Sequence, residues 1–254
     1  MKPWVNVAQE GALQIIRLQR ADKRNAVNFE MACAISSAID ELEARPELSA
    51  CVITGDGGDF CAGMDLKAFT EGALPRVPGG GFAGITERRI RKPLIAAVEG
   101  HALAGGFEIV LAADLVVASE TARFGLPEVK RGLMAGGGGV LRLARRIPFN
   151  IAMELCLTGG FLEAPAARQY GLINRLVPPG RALDAARKLA CEIGSNGPLA
   201  ISSTKQVIVD SHTWPEDEMF ARQRPALDAI LRSDDAHEGA RAFIEKRPAQ
   251  WRNQ

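Results

Sequence analysis

Residues 93–119 read PLIAAVEGHALAGGFEIVLAADLVVAS, and this stretch decides the fold class. Its two ends, residues 93–98 and 114–119, are short apolar runs with the length and composition typical of buried β-strands. The apolar segment at residues 105–112 predicts a short helix between them. Buried strands that are joined through a helix pair in parallel and are covered on both faces. The stretch therefore predicts an α/β protein with a mostly parallel sheet.

The flanking sequence extends this pattern in both directions. Residues 13–18 and 50–54 predict further strands, and Asn28 is a candidate cap for a helix over residues 29–44. After about Pro179 the character changes, because four segments of helical periodicity follow one another. These segments are residues 181–195, 198–210, 215–231 and 235–246. The pattern leaves open whether this helical set packs on the sheet region or against a second subunit.

The charge balance bears on possible partners. The chain has 254 residues, with 31 basic and 30 acidic side chains and a net charge of +1, so it has no long-range attraction for polyanions. The basic run RRIRK at residues 88–92 has no interleaved aromatic residues and is interpreted as a solvated helix face. We therefore expect no nucleic-acid partner.

Cysteine usage and hydropathy bear on the compartment. The five cysteines are scattered and form no C-x-x-C pair, which excludes a disulfide framework and a cysteine-based zinc site. The opening residues MKPWVNVAQE lack the continuous apolar core of a signal peptide. Glu99, Glu108 and Asp114 interrupt the most apolar region, so it does not resemble a membrane span. We expect a soluble cytoplasmic protein with free thiols and no membrane partner.

Two glycine-containing turns predict backbone N–H groups that point outward. They are residues 60–66 (FCAGMDL) and residues 100–108 (GHALAGGFE), each leading from a strand into a helix. Glycine lets another group approach the backbone closely, and the positive end of the helix dipole favours negative charge there. Two converging donors of this kind would form an oxyanion hole. Each turn taken alone is more often only a tight strand-to-helix connection.

Two carboxylates stand in otherwise apolar surroundings, Glu108 in GFEIVL and Glu128 in FGLPEV. Glutamate is seldom buried without a partner or a chemical role. The alternative for each is a carboxylate on a helix face or loop that reaches solvent. If both faced one dry cavity, burial and mutual repulsion would raise at least one pKa, as acid–base chemistry at neutral pH requires. Their spacing of twenty residues does not show that they meet.

Seven motifs in a fixed order carry a resemblance to a known family. They are RADKRNA (20–26), FCAGMDL (60–66), GHALAGGFE (100–108), AAD (112–114), FGLPEVKRGL (124–133), GGGVLRL (137–143) and AxxxGLINRLV (167–177). Over essentially its whole length the chain resembles the enoyl-CoA hydratase/isomerase (crotonase) superfamily. The resemblance implies a right-handed spiral of ββα turns at residues 1–195. It also implies a helical region at residues 196–254 that assembles homotrimers, often paired into homohexamers.

The resemblance implies a site for an acyl-CoA thioester. The backbone N–H groups of Met64 and Gly105 match the pair that holds the thioester carbonyl. Glu108 and Glu128 match the two catalytic glutamates of the hydratases, which hold a water molecule between them. The implied reaction is the hydration of a trans-2-enoyl-CoA, and coenzyme A enters only as part of the substrate, with no metal or redox cofactor.

Alternative activities remain open within the same family. An isomerase that shifts a double bond generally keeps only the equivalent of Glu128, so the presence of Glu108 favours hydration. The sequences DLKA (65–68), EGALP (71–75), GFAGITE (81–87) and EKRPAQW (245–251) resemble the carnitinyl-CoA dehydratase branch. A member that binds a CoA ester or RNA without catalysis is the remaining alternative.

Further positions match substrate contacts of the family. Gly136 matches a glycine that lines the water and acyl site. The residues that match CoA contacts are Lys23, Arg24, Ala26, Ala62, Asp65, Leu66, Phe243 and Lys246, the last two reaching a neighbouring subunit in relatives. The chain departs from the pattern at Ala135, where relatives usually have proline, so the glycine loop is expected to be less constrained. The glycine-rich segment at residues 68–87 is expected to shape the acyl pocket.

Overall fold

A computed structural model describes residues 4–254, and the first three residues of the predicted 1–195 region lie outside it. The strands are β1 (Val5–Glu10), β2 (Leu13–Leu18), β3 (Ala50–Gly55), β4 (Arg76–Val77), β5 (Gly81–Phe82), β6 (Leu94–Val98), β7 (His101–Leu103), β8 (Leu115–Ser119), β9 (Arg123–Gly125), β10 (Phe161–Glu163) and β11 (Arg175–Val177). The α-helices are α1 (Phe29–Ala44), α2 (Leu66–Thr70), α3 (Gly105–Ala112), α4 (Gly139–Arg146), α5 (Phe149–Thr158), α6 (Ala164–Gln169), α7 (Ala182–Gly194), α8 (Pro198–Ser211), α9 (Met219–Leu231) and α10 (Asp234–Glu245). Short 3-10 helices lie at Ala21–Lys23, Pro127–Arg131 and Glu216–Glu218.

The main sheet has six strands in the order β1-β2-β3-β6-β8-β11. Only the β1–β2 pair is antiparallel, and every other neighbouring pair is parallel. Strands β3 and β6 are buried along their whole length apart from Gly55, as expected for strands covered on both faces. The predicted α/β class with a mostly parallel sheet is therefore confirmed.

Helices cover both faces of this sheet. On one face α7 places Ala182, Ala186 and Ala190 against the strands, and these small side chains let the helix approach the sheet closely. On the other face lies the larger core, whose most voluminous buried side chains include Phe60 and Phe107. Helix α3 belongs to that larger core, so Glu108 enters it with the apolar residues of its helix.

The sequence located the longer helices well and the short elements poorly. Helix α1 spans the predicted residues, and the Asn28 side chain accepts a hydrogen bond from the Met31 amide at 3.0 Å. The four predicted C-terminal helices correspond to α7, α8, α9 and α10 within a few residues. Helices α4 and α5 and strand β1 were not predicted. β1 is an edge strand with most of its side chains at least partly exposed, so it lacks an apolar run.

The interpretation of residues 88–92 as a helix face was wrong, because the segment is turn and irregular structure before β6. Its three arginines are paired with acidic side chains, and Lys92 donates to the Leu42 and Arg45 carbonyls. Arg88 pairs with Asp40 and Arg89 with Asp210, and the Arg91 Nε lies 2.8 Å from Glu43. Acidic residues of α1 and α8 thus neutralise the three arginines of the run.

The C-terminal helices expose large apolar side chains. Phe220 is 79% exposed, Phe243 86% and Ile244 79%. Helices α8 and α9 contain no fully buried residue. Within residues 4–254 no helix combines the length and the apolar character needed to cross a bilayer.

Candidate active site

A small sheet brings three distant parts of the chain to one place. Strand β7 runs parallel to β9 with Ala102 beside Phe124, and a parallel bridge places Cys61 beside Ala102. The three segments run in the same direction, so the residues that follow each of them emerge at the same edge. These following residues are the turn at Met64, the start of α3 and the 3-10 helix Pro127–Arg131.

Met64 and Gly105 lie in adjoining turns. A Cβ built on Gly63, whose φ is +99°, would lie 3.0 Å from the Gly105 nitrogen, so only glycine fits between the turns. Gly105 opens α3, where N–H groups lack intrahelical acceptors. Within residues 4–254 neither the Met64 nor the Gly105 amide donates to a protein acceptor. Two backbone donors without a protein acceptor therefore lie in adjoining turns.

Ala104 adds local strain at the second turn. Its φ of +50° lies in the left-handed region, which a residue with a Cβ seldom adopts. The conformation is held by a hydrogen bond from the Ala104 amide to the Gly125 carbonyl at 2.9 Å. Strain of this kind persists where the surroundings fix the backbone, and it concentrates at functional sites.

Glu108 lies in the first turn of α3 and is only 4% exposed. Its Oε1 accepts a hydrogen bond from the Gly139 amide at 2.9 Å. Burial raises the pKa of Glu108, while the Gly139 and Gly137 amides and the Arg142 guanidinium act in the opposite direction. The three stabilising contacts favour the ionised carboxylate.

Glu128 lies in the 3-10 helix Pro127–Arg131 and lines the same cavity as Glu108 of α3. Burial raises its pKa to about 7, with a further contribution from the charge of Glu108. Its Oε2 is buried and has no hydrogen-bond partner among residues 4–254. A buried carboxyl oxygen without a partner is uncommon in folded proteins and indicates a place for a ligand or a solvent molecule.

A cavity of about 490 Å³ contains this constellation. Its lining includes eight of the residues predicted from the sequence, namely Arg24, Ala62, Met64, Leu66, Gly105, Glu108, Glu128 and Gly136. Glu108 and Glu128 therefore line the same cavity, as the resemblance predicted. The volume lies within the range usual for small-molecule sites.

The segment at residues 68–87 forms part of the cavity wall, as the sequence predicted. Phe82 packs its ring on Gly105, since a Cβ on that glycine would lie 2.3 Å from the ring. Arg76 and Glu87 also line the cavity, and their side chains form an ion pair at 3.0 Å. The segment thus brings both an aromatic ring and two charges to the site.

Five predicted substrate contacts do not line the cavity: Lys23, Ala26, Asp65, Phe243 and Lys246. The Asp65 side chain caps α2 through the Lys67 and Ala68 amides and pairs with Arg20 at 2.7 Å. Lys23 lies at the surface, and the Ala26 carbonyl accepts a hydrogen bond from Arg20. Their roles toward CoA stay predictions.

Phe243 and Lys246 lie at the end of α10. Phe243 is largely exposed, and Lys246 ends the helix with φ of +54°. The resemblance assigns these two residues to the site of a neighbouring subunit. This assignment stays a prediction.

Sequence reasoning missed several residues of the site. Leu133 and Met134 line the cavity beside Gly136, and Arg131 lines it beyond Glu128. Arg142, on α4, reaches the backbone of the glycine loop that surrounds Glu108. It belongs to the quoted motif GGGVLRL, and an arginine following a glycine run was the signal that could have found it.

Within residues 4–254 no three His, Cys, Asp or Glu side chains are grouped closely enough to hold a metal ion. The expectation of a metal-free site stays a prediction.

Comparisons with known proteins agree with this geometry. The family model described as "Enoyl-CoA hydratase/isomerase" matches residues 8–254. The chain belongs to the enoyl-CoA hydratase/isomerase family. The predicted resemblance is thereby confirmed, and with it the crotonase type of fold.

Individual members of the family match over their full length. The enoyl-CoA hydratase EchA19 of Mycobacterium tuberculosis is 41% identical over 99% of this chain and 97% of its own length. The carnitinyl-CoA dehydratase of Salmonella enteritidis is 39% identical over 99% of both chains. A crystal structure of an enoyl-CoA hydratase from M. tuberculosis superposes with a TM-score of 0.98, at 52% identity and with both chains fully covered. This chain is accordingly an enzyme of the crotonase type.

Proposed function

We propose that this protein is an enoyl-CoA hydratase, which adds water reversibly and in syn geometry to a trans-2-enoyl-CoA to give a 3-hydroxyacyl-CoA. The observation that carries the proposal is that Glu108 and Glu128 line one cavity together with Met64 and Gly105. Membership of the family and similarity to a named hydratase support it.

The two free amides suit the electronic demand of this reaction. Attack on the β-carbon of a conjugated thioester moves negative charge onto the carbonyl oxygen, which forms an enolate. Donors that are already oriented toward that oxygen stabilise the charge without reorganisation, and the loss of one typically costs on the order of a hundredfold or more in rate. The Met64 and Gly105 N–H groups are the proposed donors.

The different environments of the two carboxyl groups suggest their roles. Glu108 accepts the Gly139 N–H and lies near the Arg142 charge, so it is the candidate for the ionised base. Glu128 has a pKa of about 7, and its Oε2 has no partner within residues 4–254, so it is the candidate acid. In hydration a water proton passes to Glu108, the hydroxide oxygen bonds to Cβ, and the Glu128 proton passes to Cα. Proton exchange with solvent then restores the starting pair.

Carnitinyl-CoA dehydration is the second candidate function. The relative at 39% identity carries that name, and the Glu87 carboxylate lines the cavity. This carboxylate is paired with Arg76, so it would attract the quaternary ammonium group of a carnitinyl thioester only if that ion pair opened. Isomerisation of a 3-enoyl-CoA remains a lesser alternative, since one proton shuttle would suffice for it.

The remaining assignments accompany this proposal. We retain Lys23, Arg24, Ala26, Ala62, Asp65, Leu66, Phe243 and Lys246 as CoA contacts and Gly136 as a contact of the acyl site. Coenzyme A is needed only as part of the substrate, and a cytoplasmic location is proposed. The exposed apolar residues of the C-terminal helices support a homotrimer or homohexamer, which light scattering of the purified protein tests directly.

The deciding experiment is a substrate panel with purified protein. The panel contains short, long and branched trans-2-enoyl-CoAs, crotonobetainyl-CoA and a 3-enoyl-CoA, and hydration is followed as loss of the enoyl-thioester absorbance. We expect turnover by the wild type and a loss of at least about a hundredfold in Glu128→Gln, with CoA-ester binding retained. Binding without absorbance loss across the panel would instead favour a non-catalytic member.

A further inference from the structure

The glycine loop at residues 136–139 separates the Glu108 carboxylate from the guanidinium of Arg142 on α4. A Cβ built on Gly137 would lie 2.6 Å from the Glu108 Oε2, and one on Gly139 would lie 3.0 Å from its Oε1. A Cβ on Gly138 would instead lie 2.1 Å from a terminal nitrogen of Arg142. The loop thus meets the carboxylate with its second and fourth glycines and the guanidinium with Gly138 between them.

Arg142 is attached to two segments of the cavity wall. One terminal nitrogen donates to the Gly137 carbonyl at 3.2 Å, and the other donates to the Thr86 carbonyl at 2.5 Å. Thr86 is fully buried and directly precedes Glu87, which lines the cavity. The guanidinium therefore joins the glycine loop to the segment at residues 68–87, using the planar arrangement of donors that only arginine provides.

The charge of Arg142 also acts on Glu108. The charged groups near the guanidinium are Glu108 on α3, Glu87 in the preceding loop, and Arg145 and Arg146 on its own helix. The charged groups that act on the Glu108–Glu128 pair are Arg142 on α4 and Arg131 in the 3-10 helix. Of these two cations, Arg142 is the one whose charge lowers the pKa of Glu108.

We propose that Arg142 is a positioning residue for Glu108: it fixes the glycine loop whose Gly139 amide holds the carboxylate. The role also accounts for the missing proline before the loop. The guanidinium is anchored on the Thr86 carbonyl and donates to the Gly137 carbonyl, so it constrains the loop at residues 136–139 from outside. The expected effects on turnover rest on the proposed hydratase function. The expected effect on the titration of Glu108 rests on the contacts of Arg142 alone.

The kinetic test compares Arg142→Met, Arg142→Lys and Arg145→Met. Arg145 lies on the same helix, is exposed, and controls for the loss of one positive charge from α4. We expect Arg142→Met to lower kcat by about tenfold or more with KM changed by less than about threefold, because the carboxylate loses its placement while the thioester contacts stay. Arg142→Lys keeps the charge but loses the two-carbonyl bridge, so we expect an intermediate kcat.

The pH dependence separates placement from charge. Without the cation the pKa of Glu108 rises further, so the low-pH limb of kcat/KM moves to higher pH by about 0.5 unit or more in Arg142→Met. In Arg142→Lys and Arg145→Met the limb stays in place. Loss of helix stability alone would lower the amount of folded enzyme without moving the limb.

A second measurement is independent of turnover. Carbon NMR of protein labelled at the glutamate carboxyl carbons, with the signal assigned by Glu108→Gln, gives the titration midpoint of Glu108 directly. We expect a higher midpoint in Arg142→Met than in the wild type. An unchanged midpoint, or a kcat for Arg142→Met equal to that of Arg145→Met, overturns the proposal.

If the methionine variant does not fold, Arg142→Gln replaces it with the same expectations. If the wild type hydrates no enoyl-CoA, the proposed function fails while the titration still tests Arg142.

Discussion

Gly137 lies directly against the Glu108 carboxylate, and replacing this residue by alanine is the sharpest test of the geometry. The new Cβ would lie 2.6 Å from the Glu108 Oε2 and 3.2 Å from the Phe82 Cβ. Ordinary contact begins at 3.4 Å, so the carboxylate and the loop have to separate by about 0.8 Å. Gly137 has no positive φ, so the substitution introduces crowding without backbone strain.

The expected loss of activity follows from that displacement. A misplacement of about 1 Å at a reacting group costs on the order of a hundredfold in rate, so we expect Gly137→Ala to lower kcat by roughly 30- to 100-fold. The KM for the thioester should change little, because the amides of Met64 and Gly105 lie in other turns of the cavity.

The assay is steady-state hydration of the best substrate from the panel, with thermal unfolding measured in parallel. Gly197→Ala is the control for a glycine-to-alanine change, since its Cβ would meet only the Trp251 ring at 3.6 Å. We expect this control to keep wild-type kcat. A kcat for Gly137→Ala within about threefold of the wild type would refute the placement of Glu108 against the loop, because a shift of that size should not be tolerated.

Two further predictions follow from the titration of the pair and from a helix cap. Hydration and dehydration both start from a Glu108–Glu128 pair that carries one proton. Because the pKa of Glu128 is about 7, this proton is lost above pH 7, and kcat/KM in both directions should fall about tenfold per pH unit there. The ratio of the two directions should stay constant, and a profile that is flat to pH 9 contradicts the assignment. Asn28→Ala removes the acceptor of the Met31 amide at the start of α1 and should reduce the free energy of unfolding by about 1 kcal/mol. Denaturant unfolding measures this loss, Asn28→Ser should restore most of it, and equal stability of the alanine variant and the wild type would rule out the cap.

The sequence by itself determined the elements with a strong local signal. The apolar runs at β3, β6 and β8 and the periodic helices α1 and α7–α10 were predicted because their side chains repeat with the period of their structure. The two glycine turns and the two glutamates were found because small residues and buried carboxylates are conspicuous in apolar surroundings. Elements such as β1, α4 and α5 were not predicted, because exposed or short segments show little hydrophobic periodicity.

Only the tertiary structure decided which of these features meet. Glu108 and Glu128 share a cavity because β7 and β9 pair in parallel, which places the segments after Leu103 and Gly125 at one edge of the small sheet. Spacing along the chain contains no information about that pairing. The same holds for Arg142, whose side chain reaches Thr86 from 56 residues away. Its place behind the glycine loop is set by the packing of α4 beside α3, a contact between elements that no local pattern records.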